Sequence, residues 1–311
     1  MRVLLPFSRR ARVFVAALAL DALFGDPPTA AHPVGWIGSA ARIIESHAPE
    51  HPGARRRYGW CAAIALSLAA AAAGGAARGA WLEALALDAT FALRTLLGRA
   101  EEVRRSLEQD DLDGARRLLR THLVSRDTDD LGASEVAGAV IESVAENLGD
   151  SVIAPWLAYA ALGVPGALAY RAINTLDAMW GYRTERYVDL GRGAARVDDA
   201  ANLVPARATA LAIVVAAALT GEDARGSIAT WRRDARRTAS PNAGQPMSAM
   251  AGALGVSLVK REAYILGARG RRPGTGDIAR ATRLARVAAC VAAAAVVAAL
   301  ARSGRGAGGA G

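Results

Sequence analysis

Three acidic residues at helical spacing are the first candidates for a role in binding or catalysis. Glu142, Glu146 and Asp150 recur at every fourth position, which places them along one face of a helix. Carboxylates in such a stripe repel one another unless a cation or arginines lie opposite. Hard oxygen ligands of this kind suit Mg²⁺. Because an apolar segment follows at once, the pattern favours a cation-binding stripe at a membrane surface over a solvated helix face.

A second group of polar residues follows that apolar segment. Asn174 and Asp177 share a helical face, with Arg171 one turn earlier. Arg183 and Arg186 could hold a phosphate or a carboxylate through two parallel hydrogen bonds. The alternative for these two arginines is contact with lipid headgroups.

A third group stands just before another apolar run. Asp198 and Asp199 are adjacent, and Asn202 lies one turn after Asp198 on the same face. Acidic residues beside a membrane segment are costly unless they have a function. The sequence therefore predicts a site where this helix meets the membrane.

Two loops complete the candidates. The first, Gly25-Asp26-Pro27-Pro28 followed by His32-Pro33, is a stiff turn, and it is either a membrane exit or part of a site. The second, Ser240-Pro241-Asn242-Ala243-Gly244, leads into a small-residue segment that a ligand or another backbone can approach closely. A helix cap formed by Ser240 or Asn242 is the alternative there.

Membrane helices must position these residues. The 311 residues are 52% hydrophobic and 22% charged, which excludes both a disordered chain and a wholly lipid-embedded one. About 20 apolar residues cross a bilayer core. Segment 58–77 is the clearest span, and 151–170 contains glycines and prolines typical of a broken or re-entrant helix. Segment 80–97 either spans or lies at the interface. Further apolar runs occupy 13–24, 208–221 and 287–301.

The polar blocks between these runs have helical periodicity. Apolar residues recur at helical spacing in 101–109 and 114–124, and Ser134 is positioned to cap a helix that continues through Glu146. We therefore predict an all-α, multi-pass integral membrane protein with helical polar loops at the membrane surface. It would form a single domain over 1–311, with a cytoplasmic helical insertion at 98–150 and a disordered glycine-rich tail at 303–311.

Charge and cysteine content exclude other classes. The 38 basic and 29 acidic residues give a net charge of +9, but the arginines are spread over every polar block and form no nucleic-acid-binding motif. We expect no nucleic-acid partner. The two cysteines, Cys61 and Cys290, exclude a disulfide scaffold and a cysteine-rich metal site.

Taken together, the polar motifs resemble the adenosylcobinamide-phosphate synthase (CobD/CbiB) family of cobalamin biosynthesis. The resemblance extends from Asp21 to about Leu258. Two departures are Ser151 and Ala178, where glycine and serine respectively are expected. The resemblance rests on six motifs in order: GDPP at 25–28, HPV at 32–34, ESVAEN at 142–147, YRAINTLD at 170–177, DDAAN at 198–202 and SPNAG at 240–244.

This resemblance implies an integral membrane enzyme that uses ATP to join (adenosyl)cobyric acid to (R)-1-aminopropan-2-ol or its O-phosphate. The new amide forms at a propionate side chain of the corrin and gives (adenosyl)cobinamide or its phosphate. It also implies the cell (inner) membrane, a site facing the cytoplasm, the lipid bilayer as surroundings and contact with neighbouring enzymes of the pathway. The corrinoid is a substrate rather than a bound cofactor.

The implied chemistry can be assigned to the candidate residues. A carboxylate must first be activated, most simply as an acyl phosphate, with Mg²⁺ and arginines neutralising the phosphate charge. His32 or a spare carboxylate could take the proton of the attacking amine. No Walker-type loop marks a nucleotide site. The catalytic candidates are His32, Glu142, Glu146 and Asp177. The metal-ligand candidates are Glu142, Glu146, Asp150, Asp198 and Asp199. The substrate-binding candidates are Arg171, Asn174, Trp180, Tyr182, Arg183, Arg186 and Asn242.

Two other functions remain open on the sequence. Paired carboxylates with asparagine at a membrane surface also suit a Mg²⁺-dependent transferase acting on a prenyl or lipid diphosphate, which would need no ATP. A broken helix such as 151–170 also occurs in transporters, and a membrane scaffold for pathway enzymes would bind partners without turnover.

Overall fold

The computed structural model describes residues 8–26, 32–182 and 184–306, and these are mainly helical. A π-helical turn at Gly149–Ile153 joins α7 to α8, and two short antiparallel strands, β1 (Leu258–Lys260) and β2 (Tyr264–Leu266), form a hairpin. The helices are α1 (Arg9–Phe24), α2 (Pro33–Ser46), α3 (Pro52–Ala76), α4 (Ala80–Asp88), α5 (Leu93–Glu108), α6 (Leu112–His122), α7 (Ala133–Leu148), α8 (Ala154–Trp180), α9 (Arg192–Ala201), α10 (Leu203–Thr220), α11 (Ala224–Asp234), α12 (Gly244–Leu254) and α13 (Thr275–Gly306).

Four helical segments are long and apolar enough to cross a membrane, namely Pro52–Ala76, Ala133–Trp180, Leu203–Thr220 and Thr275–Arg302. They overlap the predicted apolar runs 58–77, 151–170, 208–221 and 287–301, so the all-α, multi-pass prediction is confirmed. The run 13–24 lies in α1, which is not among the four. The spanning alternative for segment 80–97 is wrong. Its first helix, α4, has nine residues, about 14 Å at 1.5 Å per residue against a core of about 30 Å.

Helix α8 is broken where the sequence predicts an interruption. Gly163 has a φ of 73°, a conformation that favours glycine, and Pro165 has no amide hydrogen to donate to the helix. Arg10 of α1 donates from Nη2 to the carbonyl oxygens of Tyr159 and Ala160, the latter at 3.2 Å. Its guanidinium also lies 5.4 Å from the centre of the Tyr159 ring. Arg10 therefore satisfies carbonyl groups that the broken helix leaves exposed.

Contacts divide the chain into two compact units. The first contains α1 to α4, α8, α9 and the end of α13. Trp180, Leu176 and Leu190 are completely buried there among alanines of α2, α3 and α9. Phe14 of α1 packs edge to face on Trp156 of α8, with ring centres 5.6 Å apart. Alanines at these interfaces let the helix backbones approach closely.

The second unit contains α5 to α7, the π-helical turn, α10 to α12, the hairpin and most of α13. The predicted insertion 98–150 belongs to this unit. Every residue of α12 is buried. Ser134 does not cap α7: its hydroxyl donates to the carbonyl of Pro273, while Glu135 accepts from the amide of Gly132. Of the predicted tail, α13 continues to Gly306, and 307–311 lie outside the described residues.

A glycine at the contact between α3 and α8 gives a test of this packing. A Cβ atom at Gly74 would lie 2.9 Å from the backbone nitrogen of Pro165, whereas one at Gly75 would meet nothing within 4 Å. We expect Gly74→Ala to lower the free energy of unfolding by about 1–3 kcal/mol. Gly75→Ala, the matched control, should be neutral or slightly stabilising. Thermal melts in detergent check this, and equal melting temperatures of the two variants would contradict the packing.

Candidate functional site

A chain of hydrogen bonds connects α8 with α9 in the first unit. Arg171 Nη1 donates to Oδ1 of Asn174 (3.2 Å), and Asn174 Nδ2 donates to Oδ1 of Asp198 (3.4 Å). The second oxygen of Asp198 accepts from Nδ2 of Asn202 (3.0 Å), whose Oδ1 accepts from the Tyr170 hydroxyl (2.9 Å). We call these five residues the first polar cluster. The predicted shared face of Asp198 and Asn202 is confirmed by their hydrogen bond.

Asp198 is the buried centre of the first polar cluster. Its residue exposure is 8%. Burial raises the pKa of Asp198 to about 6, against the opposing effect of hydrogen bonds from Asn202 and Asn174, and the Asp199 carboxylate raises it further. A carboxyl group that titrates near neutral pH is a candidate for a role in proton transfer or charge binding.

His32 lies in the same unit and caps α2. Its Nδ1 accepts a hydrogen bond from the Val34 amide at 3.1 Å, so in the neutral ring the proton is on Nε2. That Nε2 atom lies 4.0 Å from Oδ1 of Asp26. Burial lowers the pKa of His32, Asp26 opposes this and Arg171 adds to the lowering. His32 is therefore a neutral ring at pH 7 that presents an N–H to its surroundings.

A cavity of about 320 Å³ brings together three predicted residues, Trp180, Tyr182 and Asp199. Arg192 and Arg196 also line it, and these two were not predicted. Intervals of four and then three residues separate Arg192, Arg196 and Asp199, which places all three on one face of α9. That pattern was visible in the sequence. The cavity therefore has two cationic side chains and one acidic one along a single wall.

The remaining predicted residues of the first unit lie around these features. The Asp177 carboxylate packs against Gly181, where a Cβ atom would lie 2.3 Å from its Oδ1. Gly181 also lines the cavity, so Asp177 is beside it. Arg186 pairs with Glu45 at 2.6 Å and is 68% exposed. Arg183 lies outside the described residues.

Glu142 is the buried acidic residue of α7 in the second unit, with 6% exposure. Its Oε2 lies 3.6 Å from Nη2 of Arg126. Lys260 of β1, Tyr264 of β2 and Glu146 are its further electrostatic neighbours. We call these five residues the second polar cluster. Oε1 of Glu142 has no hydrogen-bond partner in the part of the chain that the structure describes, so the cluster has an acceptor ready for a cation or a ligand donor.

Tyr264 supplies a protonated hydroxyl to the second polar cluster. Burial raises the pKa of Tyr264 well above its ordinary value near 10, and the Glu142 and Glu146 carboxylates raise it further. The phenol therefore keeps its proton at any physiological pH. Tyr264 and Lys260 were not predicted, because each strand of the hairpin has three residues, too few to produce a recognisable alternating pattern.

The acidic stripe ends at a π-helical turn. Glu142 and Glu146 are both in α7, but Asp150 lies in the turn Gly149–Ile153. Hydrogen bonds in a π-helix run from residue i to residue i+5, so Asp150 lies in a wider turn than the two glutamates. A common face for all three carboxylates stays a prediction. Single π-helical turns inside helices are frequent at functional sites.

Asn242 is a buried loop residue at the start of α12, with 4% exposure. Its backbone N–H donates to the Ser240 hydroxyl at 3.2 Å. The Gly244 amide donates to the Thr238 hydroxyl at 3.1 Å, and Gln245 Nε2 donates to the Pro241 carbonyl at 3.0 Å. The loop is therefore held by its own hydrogen bonds, and neither Ser240 nor Asn242 is the N-cap of α12, which is Ala243.

The predicted metal ligands divide between the units. Glu142, Glu146 and Asp150 lie in the second, and Asp198 and Asp199 in the first. Within 8–26, 32–182 and 184–306, no group of three or more His, Cys, Asp or Glu side chains could hold a metal ion. Mg²⁺ is usually bound by one or two carboxylates together with substrate phosphates. The Glu142–Glu146 pair suits that donor set better than Asp198, whose two oxygens already accept hydrogen bonds.

Comparison with known proteins relates most of the chain, including both polar clusters, to one family. The family model described as CobD/Cbib protein matches residues 14–294. The chain belongs to the CobD/CbiB family. It is 42% identical over 275 residues to the cobalamin biosynthesis protein CobD of Geobacter metallireducens, covering 85% of this chain and 86% of that protein. The proteins of the same name from Mycobacterium tuberculosis (40% over 294 residues; 89% and 91%) and Chromobacterium violaceum (45% over 287 residues; 86% and 89%) are similarly related. No solved structure matches the chain.

Membership of the CobD/CbiB family confirms the resemblance seen in the motifs. The chain is thus a CobD/CbiB-family protein of cobalamin biosynthesis, and its four long apolar helical segments make it a membrane protein. The matched range contains the first and second polar clusters, the cavity and the Ser240–Gly244 loop.

The raised pKa of Asp198 predicts a pH-dependent stability. The folded value, about 6, exceeds the reference value of 3.8. The stabilisation is therefore complete below about pH 4 and is lost as the pH rises through 6. Asp198→Asn cannot titrate, so the change in unfolding free energy between pH 5 and pH 8 should differ from that of the parent protein by on the order of 1 kcal/mol.

Thermal melts at the two pH values measure this difference. Asp113→Asn is the control, because Asp113 is 77% exposed, and it should keep the pH dependence of the parent. The same pH dependence in Asp198→Asn would contradict a raised pKa.

Proposed function

We propose that this CobD/CbiB-family protein is an ATP-driven amide synthase that joins cobyric acid to (R)-1-aminopropan-2-ol or its O-phosphate. Family membership supports the pathway, and the motifs resemble those of enzymes with this reaction. The observation that carries the proposal is Glu142. It is a buried carboxylate with an unpartnered oxygen, next to the cations of Arg126 and Lys260. A site with both signs of charge suits a metal–nucleotide complex.

In this proposal the second polar cluster activates the corrinoid carboxylate. The carboxylate oxygen attacks the γ-phosphorus of ATP, the bond to ADP breaks, and an acyl phosphate forms. Glu142 and Glu146 would hold Mg²⁺, which neutralises phosphate charge when bound. Arg126 and Lys260 bind phosphate oxygens, and the Tyr264 hydroxyl donates a hydrogen bond to them.

The cavity of the first unit would hold the amino alcohol. At about 320 Å³ it is at the small end of ligand pockets, so it suits a compact molecule better than a corrinoid. Arg192 and Arg196 bind the phosphate of an aminopropanol phosphate, and Asp199 faces its ammonium group. The ammonium group first gives one proton to a carboxylate. The neutral amine then attacks the acyl carbon, the bond to phosphate breaks, and the second proton passes to a carboxylate or to the leaving phosphate.

His32 fits a donor better than the base. Its Nδ1 is occupied by the Val34 amide, so accepting a proton there would break the cap of α2. Its Nε2–H group, whose nitrogen lies 4.0 Å from Oδ1 of Asp26, is instead available to donate to a substrate oxygen. In this proposal His32 orients an acceptor group of the substrate in the first unit. A carboxylate takes the proton of the amine.

The reaction is tested with membranes that contain the protein. Cobyric acid, Mg²⁺, ATP and either aminopropanol or its phosphate are incubated, and the amide product is measured by mass spectrometry. The proposal predicts a product that depends on ATP. Turnover of prenyl or lipid diphosphates, or substrate transport without an amide, would instead support the two rival functions.

Glu142→Gln tests the second polar cluster. The amide keeps the shape of the side chain but removes the charge that binds a cation. We expect about 10- to 100-fold lower turnover at unchanged protein abundance, with partial recovery at high Mg²⁺. Glu108→Gln is the control, because Glu108 is a half-exposed partner of Arg104 on α5. Equal activity of the two variants would reduce Glu142 to a structural role.

Two substitutions separate the cap from the chemistry at His32. Asn is a good helix cap, so His32→Asn keeps the bond to the Val34 amide and loses Nε2–H, whereas His32→Ala loses both. We expect His32→Asn to melt near the parent temperature and to lose about tenfold or more of its activity. His32→Ala should lose stability as well, by about 1 kcal/mol. Full activity of His32→Asn would show that His32 is only a cap.

A further inference from the structure

A groove of about 520 Å³ is lined mainly by the consecutive helices α10 and α11 in the second unit. It is lined by Arg207, Arg232 and Arg236 and by Leu211, Val214 and Ile228. Arg207 comes before the apolar residues on α10, and Arg232 and Arg236 come after Ile228 of α11, so the basic residues lie toward one end of the groove. Among its described lining residues there is no carboxylate. The groove belongs to neither polar cluster and contains none of the residues assigned to the proposed reaction.

The arginines of this groove differ from their neighbours in pairing. Arg233 and Arg237 both bind the buried carboxylate of Asp234, at 2.9 and 3.0 Å. Arg232 and Arg236 form no ion pair or hydrogen bond with any side chain in the described part of the chain. Arg207 donates only to the Leu203 carbonyl of its own helix, at 2.7 Å. Three guanidinium groups thus converge on a groove without a counter-charge.

The apolar lining residues indicate what kind of anion fits. Helix α10 is apolar and long enough to cross a membrane, and Leu211 on the groove is 57% exposed. Trp231 lines the groove and donates from Nε1 to Gln245 at 2.8 Å. Tryptophan with one polar and one apolar side is typical of the membrane interface. A ligand here meets cations at one end and hydrocarbon at the other.

We propose that this groove binds an anionic phospholipid, with its phosphate on Arg207, Arg232 and Arg236 and an acyl chain along Leu211 and Val214. Basic pockets beside membrane-spanning helices recognise lipid headgroups in this way. A soluble phosphate would use the arginines but would leave the apolar wall exposed.

Quenching of tryptophan fluorescence tests the site in the full-length protein. The protein in detergent is titrated with phosphatidylglycerol or phosphatidylcholine that carries brominated acyl chains. Phosphatidylglycerol should quench at about 10- to 30-fold lower concentration, and Trp231→Phe should remove that component. The double substitution Arg232→Gln/Arg236→Gln should abolish the preference, since each basic residue near an anionic surface contributes about a factor of five.

The matched control is Arg225→Gln/Arg117→Gln. Arg225 lies at the start of α11, outside the lining of the groove, and Arg117 lies on α6. Both are exposed. This control should keep the preference for phosphatidylglycerol. Equal quenching by the two lipids in the parent protein would overturn the proposal. So would binding of inorganic phosphate or ATP that depends on Arg232 and Arg236 without any lipid preference, because it would assign the groove to a soluble anion.

Discussion

The contact of Arg10 with the broken part of α8 is the interaction on which the first unit depends. A membrane-spanning helix cannot leave carbonyl groups without donors, because hydrocarbon offers none. Gly163 and Pro165 break the helix, and Arg10 satisfies the carbonyls of Tyr159 and Ala160. The half of α8 that follows the break carries Tyr170, Arg171, Asn174 and Trp180. Arg10 thus stabilises the break after which α8 continues to the first polar cluster.

The same constraint explains why polar side chains on α8 and α9 form a connected chain rather than isolated pairs. Each buried donor or acceptor that lacks a partner is costly. Asn174 and Asn202 solve this by donating to Asp198 with one end and accepting from Arg171 and Tyr170 with the other. Asparagine is suited to this role because its side chain carries both a donor and an acceptor. A network satisfied in this way fixes the positions of its members closely.

The sequence predicted those features that depend on local spacing. The apolar runs, the interrupted segment before Tyr170 and the shared face of Asp198 and Asn202 all depend on periodicity along one helix. Periodicity could not predict contacts between distant parts of the chain, such as Lys260 and Tyr264 of the hairpin beside Glu142. It was also insufficient where the helix geometry changes, so the π-helical turn at Asp150 was not foreseen. Arg192 and Arg196 were predictable from their spacing to Asp199 but needed the cavity to give them significance.

A comparison among the buried carboxylates separates structural from functional ones. Asp234, with no exposed surface, is bound by Arg233, Arg237 and the Gly267 amide. Asp277 accepts hydrogen bonds from Nη1 and Nη2 of Arg271 and from the backbone amide of Gly274. In both residues ion pairs and a backbone amide occupy the carboxylate oxygens, as expected for acidic residues that stabilise the fold. Glu142 has instead one guanidinium at 3.6 Å, Lys260 and Tyr264 as electrostatic neighbours, and an oxygen without a described hydrogen-bond partner. An incompletely paired buried charge costs stability, and a ligand that completes its coordination gives the physical reason for keeping it.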